Sequence, residues 1–309
     1  MQVWRKSVIK GKRLFISLGA ILAPITLYAA QVNVGLDAGY RSDRISMSYA
    51  KEGMYTDTTA TPATSIPIKD RQRNKITSLK TFFMEAKSEL LLDKLVLRAN
   101  LQHGWILKGY REKFSKEILP SGGSTILSNA QRKQKSSGHI WEGKVAVGHL
   151  VDVTPTIVLE PQIGFFIDQM KLNKEKLSDH KVRHYSPFVG ALLKFNVDSK
   201  INVHLGTEVH LFSNYRENFT EMDVSGIKEK YSIKSKKSNI IWNNNLTVYY
   251  AITDKCSLNL GLNYRYSRDK PTNFSSSSNT NGQVLSYNKA IGKRYQRTAA
   301  AMLGVNYRF

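Results

Sequence analysis

Apolar and polar residues alternate with a period of two along most of this 309-residue chain. Val32, Val34, Leu36, Ala38 and Tyr40 alternate with Asn33, Gly35, Asp37, Gly39 and Arg41. Leu95, Leu97, Ala99, Leu101, Trp105 and Leu107 alternate with Arg98, Asn100, Gln102 and Lys108. The rhythm returns around Glu85, Glu160, Glu208 and Arg265. Successive side chains on a strand point to opposite faces, so each run predicts a strand with one greasy and one wet face. Four tight connections separate runs: Asp93-Lys94, Asp152 to Pro155, Asp198-Ser199-Lys200 and Thr253-Asp254-Lys255, all rich in turn formers. Five long polar segments, 51–75, 112–138, 172–184, 217–238 and 269–292, fall between them. Short and long connections in strict alternation join ten strands.

The hairpin arms are much longer than the roughly five or six residues usual for strands of soluble sheets. Their wet faces carry charge at mid-strand. Their greasy faces carry Trp105, Trp141, Trp242, Tyr40, Tyr250, Tyr266 and Tyr307, candidates for aromatic girdles at two membrane interfaces. A sheet in lipid must pair every backbone group, and only closure achieves that. The predicted fold class is therefore all-β: a transmembrane antiparallel up-and-down β-barrel of about ten strands, with short periplasmic turns and long extracellular loops. Ser275 to Ser278, in the last long segment, reads as a flexible loop tip.

The two ends agree with this reading. Arg5, Lys6, Lys10, Lys12 and Arg13 precede an apolar run from Leu14 to Leu27, followed by the small residues Ala29 and Ala30. That order is a secretory signal peptide, with cleavage expected after Ala29, so residues 30–309 form the barrel domain. At the other end Ala301, Leu303, Val305, Tyr307 and Phe309 alternate with Gly304, Asn306 and Arg308. This segment resembles the terminal signal strand of bacterial outer-membrane proteins. The resemblance implies recognition of the strand ending in Phe309 by a barrel assembly machinery, in an outer membrane of lipid and lipopolysaccharide.

Charge and chemistry narrow the function. Lysine and arginine total 46 against 24 acids, a net charge of +22, which favours an anionic partner or surface. The single Cys256 excludes an internal disulfide framework. Arg98, Lys108, Lys144, Lys194 and Arg265 are expected to line the lumen, opposed by Glu142, Glu160 and Glu208. Ten strands sit near the narrow end of barrel sizes, so these charges either pair into a plug or line a thin wet channel. Lys133, Lys174, Lys234, Lys236, Lys237 and Arg294 are expected on basic loops, where they could attract small anionic solutes or grip anionic glycans. An external location argues against nucleic acid.

Barrels of this size and strand number are similar to the omptin proteases, whose activity depends on acidic pairs and an Asp–His couple at the mouth. Glu208 and His210 share a strand face here, and Asp179-His180 lies in the third long segment, but only Glu112 and Glu117 stand where a second acidic pair belongs. No Gly-x-Ser-x-Gly motif and no tight His/Cys metal spacing occurs, so no enzyme activity, cofactor or metal is expected. In layout the chain resembles small porin-like outer-membrane proteins, including those of chlamydia-related bacteria. That resemblance implies a narrow passive channel with a basic extracellular mouth. A non-enzymatic adhesin binding anionic glycans or lipopolysaccharide is the alternative.

Overall fold

The computed structural model describes residues 31–57, 59, 62, 64–107, 110–120, 126–134, 136–174, 180–212, 214–222, 228–235, 240–270, 273–280 and 283–309. The signal-peptide reading, Lys108, Lys236 and Lys237 lie outside them. Among them no helix is long and apolar enough to cross a membrane, which says nothing of strands.

Sixteen strands follow one another: β1 (Gln31–Asp57), β2 (Thr64–Leu92), β3 (Leu95–Ile106), β4 (Tyr110–Pro120), β5 (Ile126–Gln134), β6 (Ser136–His149), β7 (Val151–Thr154) and β8 (Ile157–Lys174). The second half holds β9 (His180–Asn196), β10 (Ile201–His210), β11 (Asn214–Met222), β12 (Lys228–Ser235), β13 (Ile240–Ala251), β14 (Cys256–Asp269), β15 (Asn273–Thr280) and β16 (Gln283–Arg308). Several follow one another along a single line of the wall: β3 with β4, β5 with β6 and β7, β10 with β11, β12 with β13, and β14 with β15. They merge into ten antiparallel staves. The sheet closes because β1 pairs with β2 on one side and β16 on the other.

Tight turns join the staves at one end. Asp93 adopts φ 54°, the left-handed conformation that Asp tolerates better than most residues, and reverses β2 into β3. The turn expected at Asp152 to Pro155 is shifted: Val151–Thr154 forms β7 and reversal occurs at Pro155-Thr156. At the other end much of each long polar segment is wall rather than loop. β1 and β2 stay paired up to Asp57 opposite Thr64, through one register shift between Asp43 and Ile45, and the serine patch belongs to β15. Polar residues continue the sheet there because the ladder needs only backbone groups, and above lipid neither face has to be apolar.

The outer face divides at an aromatic belt. Below it Leu36, Val145, Ile163, Val189, Leu205, Leu260, Leu303 and Val305 point outward and are exposed, as a lipid-facing band requires. Tyr40, Phe82, Trp105, His103 and Trp141 form a continuous belt across four adjacent staves. Ring centroids are 5.6 Å apart for Tyr40–Phe82, 6.0 Å for Phe82–Trp105, 4.3 Å for Trp105–His103 and 4.0 Å for His103–Trp141. Trp242 belongs to the same level, and Tyr250, Tyr307 and Phe309 mark the other edge. From Trp242 to Tyr250 along β13, about 3.3 Å per residue at a tilt near 40° gives roughly 20 Å, close to the thickness of an outer-membrane apolar band.

Inside, packing is close enough to demand glycine. A Cβ on Gly164 would lie 2.5 Å from the Phe188 ring and 2.2 Å from the Val145 carbonyl oxygen. Phe188 turns a ring edge to that position and packs with Phe166 and Ala146.

Candidate functional site

The interior gathers charge from distant parts of the chain. Nearest the tight turns, Arg98 on β3 donates to Glu89 of β2 (2.7 Å) and to Glu160 of β8 (2.7 Å). Lys194 on β9 reaches the same Glu160 at 3.0 Å, and Asn33 donates to Glu89 at 3.0 Å. Glu160 is fully buried and holds two cations, an arrangement that compensates the large cost of taking a carboxylate out of water.

One level higher, Lys144 on β6 pairs with Glu208 on β10 at 2.7 Å, and Asn243 and Gln162 donate to the same carboxylate at 3.2 and 3.4 Å. Lys87 and Asn259 both contact Asp37. Arg41 of β1 and Arg265 of β14 converge on Glu142 of β6. The ninth and fourth staves stand opposite each other in a ten-stave ring, so the Arg265–Glu142 bridge crosses the whole lumen. Arg265 also sits 5.2 Å from the Phe166 ring centroid. A cavity of about 110 Å³ remains at this level, lined by Arg41, Lys87, Glu142, Lys144, Glu208 and Arg265.

Above it polar and apolar side chains share the lumen. Ile45, Leu79, Ile140, Leu172 and Val182 point inward and are almost fully buried on the first six staves. Among them Asp269 of β14 joins His184 of β9 (3.2 Å) and Arg294 of β16 (2.9 Å). Asp168 lies 3.7 Å from the other ring nitrogen of His184. Gln296 and Thr298 donate to Asp43 at 2.9 and 2.6 Å, and Arg41 pairs with it at 2.8 Å.

The structure thus brings Arg98, Lys194 and Glu160 together, and separately Lys144 with Glu208 and Arg265 with Glu142. Arg294, expected on a basic loop, instead lies on the inner face of β16 and is buried against Asp269. The last long segment continues as strand, and its inward positions face the lumen. Lys133, Lys174 and Lys234 fall on β5, β8 and β12 rather than on irregular loops, because those segments also continue the wall. Arg308, a polar position of the alternating terminal strand, is exposed at the end of β16. Asp43, His184 and Asp269 escaped the sequence reading, although each sits on the wet face of an alternating run.

Glu208 and His210 do share an inward face. His210 Nε2 lies 3.7 Å from Glu208, and its Nδ1 shares a 2.9 Å hydrogen bond with Ser186. All three are buried, with the Phe166 and Phe188 rings 5.0 and 5.2 Å from the imidazole. Among the described residues no group of His, Cys, Asp and Glu is placed to hold a metal ion.

A closed antiparallel barrel with a lipid-facing band, an aromatic belt and a charged interior is an outer-membrane barrel protein. The chain matches the profile of the family described as Protochlamydia outer membrane protein over residues 35–186 and 174–309, and it belongs to that family. No curated protein matches it by sequence. The crystal structure of the outer-membrane protease OmpT of Escherichia coli superposes with a TM-score of 0.63 at 12% identity, covering 90% of this chain and 97% of that one. At that identity the likeness is one of fold. The translocator domain of the autotransporter NalP of Neisseria meningitidis gives a TM-score of 0.33 at 12% identity, covering 99% and 98%.

Proposed function

We propose that this protein is a closed, non-enzymatic outer-membrane barrel that acts at the cell surface, its basic upper walls binding anionic glycans. One observation carries the reading: charge networks and inward apolar side chains occupy every level of the described interior, leaving a cavity of about 110 Å³ at mid-height. The Arg98–Glu160–Lys194 cluster occupies the lower lumen, the Arg265–Glu142 bridge spans the middle, and Ile45, Leu79, Ile140, Leu172 and Val182 pack the upper part. A hydrated path for ions would have to break the charge networks and displace the inward apolar side chains set among them. The wall that rises past the belt carries the surplus of lysine and arginine, so anionic polymers meet it first.

A narrow channel is the second reading, favoured by the 110 Å³ cavity and by the partial exposure of the Lys87 and Lys144 side chains that line it. Planar-bilayer recording of the purified barrel decides between them. Silence over many insertions, together with salt-sensitive retention on a heparin-type matrix, is expected of the closed barrel. Regular conductance steps would replace it with the channel, and Arg98→Glu should then alter ion preference.

A further inference from the structure

The inner and outer faces of the wall differ most sharply just above the aromatic belt, on the four adjacent staves that carry β14, β16, β1 and β2. There the outward positions hold Arg268, Arg297, Lys293, Arg44 and Lys80. Arg44 and Arg297 are directly opposite each other across the β1–β16 ladder, a like-charge pairing that destabilises a sheet unless something anionic offsets it. Arg44 also sits at the register shift between Asp43 and Ile45 against β2, a bulge of the kind that re-aims a side chain. None of the five forms an ion pair with a described carboxylate, and the buried Nε of Arg268 has no hydrogen-bond acceptor. The acids at this height, Asp43 and Asp269, face the lumen and are fully buried there.

The patch begins immediately above Tyr40, Trp242 and Tyr264, all exposed on the lipid side. Aromatic belts mark the level of lipid headgroups. An outward cluster of guanidinium and ammonium groups with no ion-pair partner among the described residues, Arg268 lying over the Tyr295 ring at 5.9 Å, faces the headgroup layer of the outer leaflet at that level rather than bulk solvent. Guanidinium donors in a rigid fork match the oxygens of a phosphate. We infer that Arg44, Arg297 and Arg268, flanked by Lys80 and Lys293, form a binding site for the phosphate group of a phosphorylated lipid of the outer leaflet. The inference does not depend on whether the barrel conducts, because the site lies wholly on the outside of the wall.

Native mass spectrometry of the full-length barrel in detergent tests it, with bis-phosphorylated lipid A and its dephosphorylated form as probes. The wild type should retain the phosphorylated lipid and release the dephosphorylated one. The double substitution Arg44→Gln with Arg297→Gln should weaken retention by roughly tenfold or more, the loss expected when charge-assisted hydrogen bonds disappear. These side chains are exposed and outward, so the barrel should still fold. Lys200→Gln with Lys255→Gln, at the opposite rim, removes the same charge and should leave retention unchanged. Equal retention of the dephosphorylated lipid would overturn the site. So would equal loss in the control pair, or displacement of the lipid by millimolar inorganic phosphate.

Discussion

Asp43 and Arg44 are neighbours on β1, yet they live in different electrostatic worlds. Asp43 points inward, is fully buried, and accepts from Arg41, Gln296 and Thr298. Arg44 points outward, is exposed, and has no ion-pair partner among the described residues. The contrast follows from the period of two: one step along a strand exchanges a confined, solvent-poor interior for an open surface. Inside, a charge persists only if neighbouring staves supply its counter-charge, so inner charges are locked in pairs. Outside, water and headgroups supply the compensation, so outer charges can remain free for a ligand.

The comparison is broken most severely by removing a shared inner partner. Glu160→Gln removes the carboxylate that Arg98 and Lys194 share, leaving Arg98 with Glu89 and Lys194 without an ion-pair partner among the described residues. A loss of about 4 kcal/mol is expected, the cost typical of stranding a buried charge. Guanidinium unfolding of the barrel reinserted in lipid vesicles should register it, and an unchanged midpoint would mean that the lower lumen is wet. The outer face can be broken in the opposite sense. Leu303 is exposed midway between the aromatic belt and Tyr307, and Leu303→Lys places a charge where the barrel meets hydrocarbon. It should cost about 3 kcal/mol in the same assay, as lysine near the bilayer midplane does. A lysine at Ser48, above the belt, should cost no more than about 1 kcal/mol, set by Lys293 opposite it across the ladder rather than by hydrocarbon.

These predictions also mark what the sequence could and could not convey. Alternation alone places Leu303 on the lipid side and Glu160 on the wet side, because facing depends only on parity along one strand. The turns at Asp93-Lys94, Asp198 to Lys200 and Thr253 to Lys255 were legible for a similar local reason. Partnership was not. His184 meets Asp269 across a separation of 85 residues, and Arg41 meets Glu142 across 101. Such pairs depend on how far successive staves are staggered, which no single strand encodes. The displacement of Arg294 from loop to lumen has the same origin. Polar composition suggested a loop, whereas the hydrogen-bond ladder simply continued.

A smaller effect tests how tightly the middle of the lumen is packed. Gly164→Ala would push a methyl group against the Phe188 ring and the Val145 carbonyl. About 2 kcal/mol of destabilisation is expected, as for overpacking elsewhere. Phe188→Leu on the Gly164→Ala background should recover part of it by opening space above the added methyl. Recovery would show that ring contact, rather than backbone strain, sets the cost.

The smallest expected effect sharpens the comparison by using the same chemistry in the other environment. Lys94 and Asp152 form an ion pair at 3.2 Å at the tight-turn rim, with side chains 52% and 65% exposed. Their separation is close to that of the Lys194–Glu160 pair at 3.0 Å, whose side chains are 17% and 0% exposed. Distance alone would rank the two as near equals. Exposure does not: at the rim, water screens the attraction and both ends remain solvated when the partner is lost. Lys94→Gln should therefore change stability by less than about 0.5 kcal/mol, against several for Glu160→Gln. Raising salt should erase what remains of the rim pair and leave the buried one largely intact. A large loss at Lys94 would mean that the rim is covered by a partner or by headgroups, and the division between locked inner charges and free outer ones would have to be redrawn at that end.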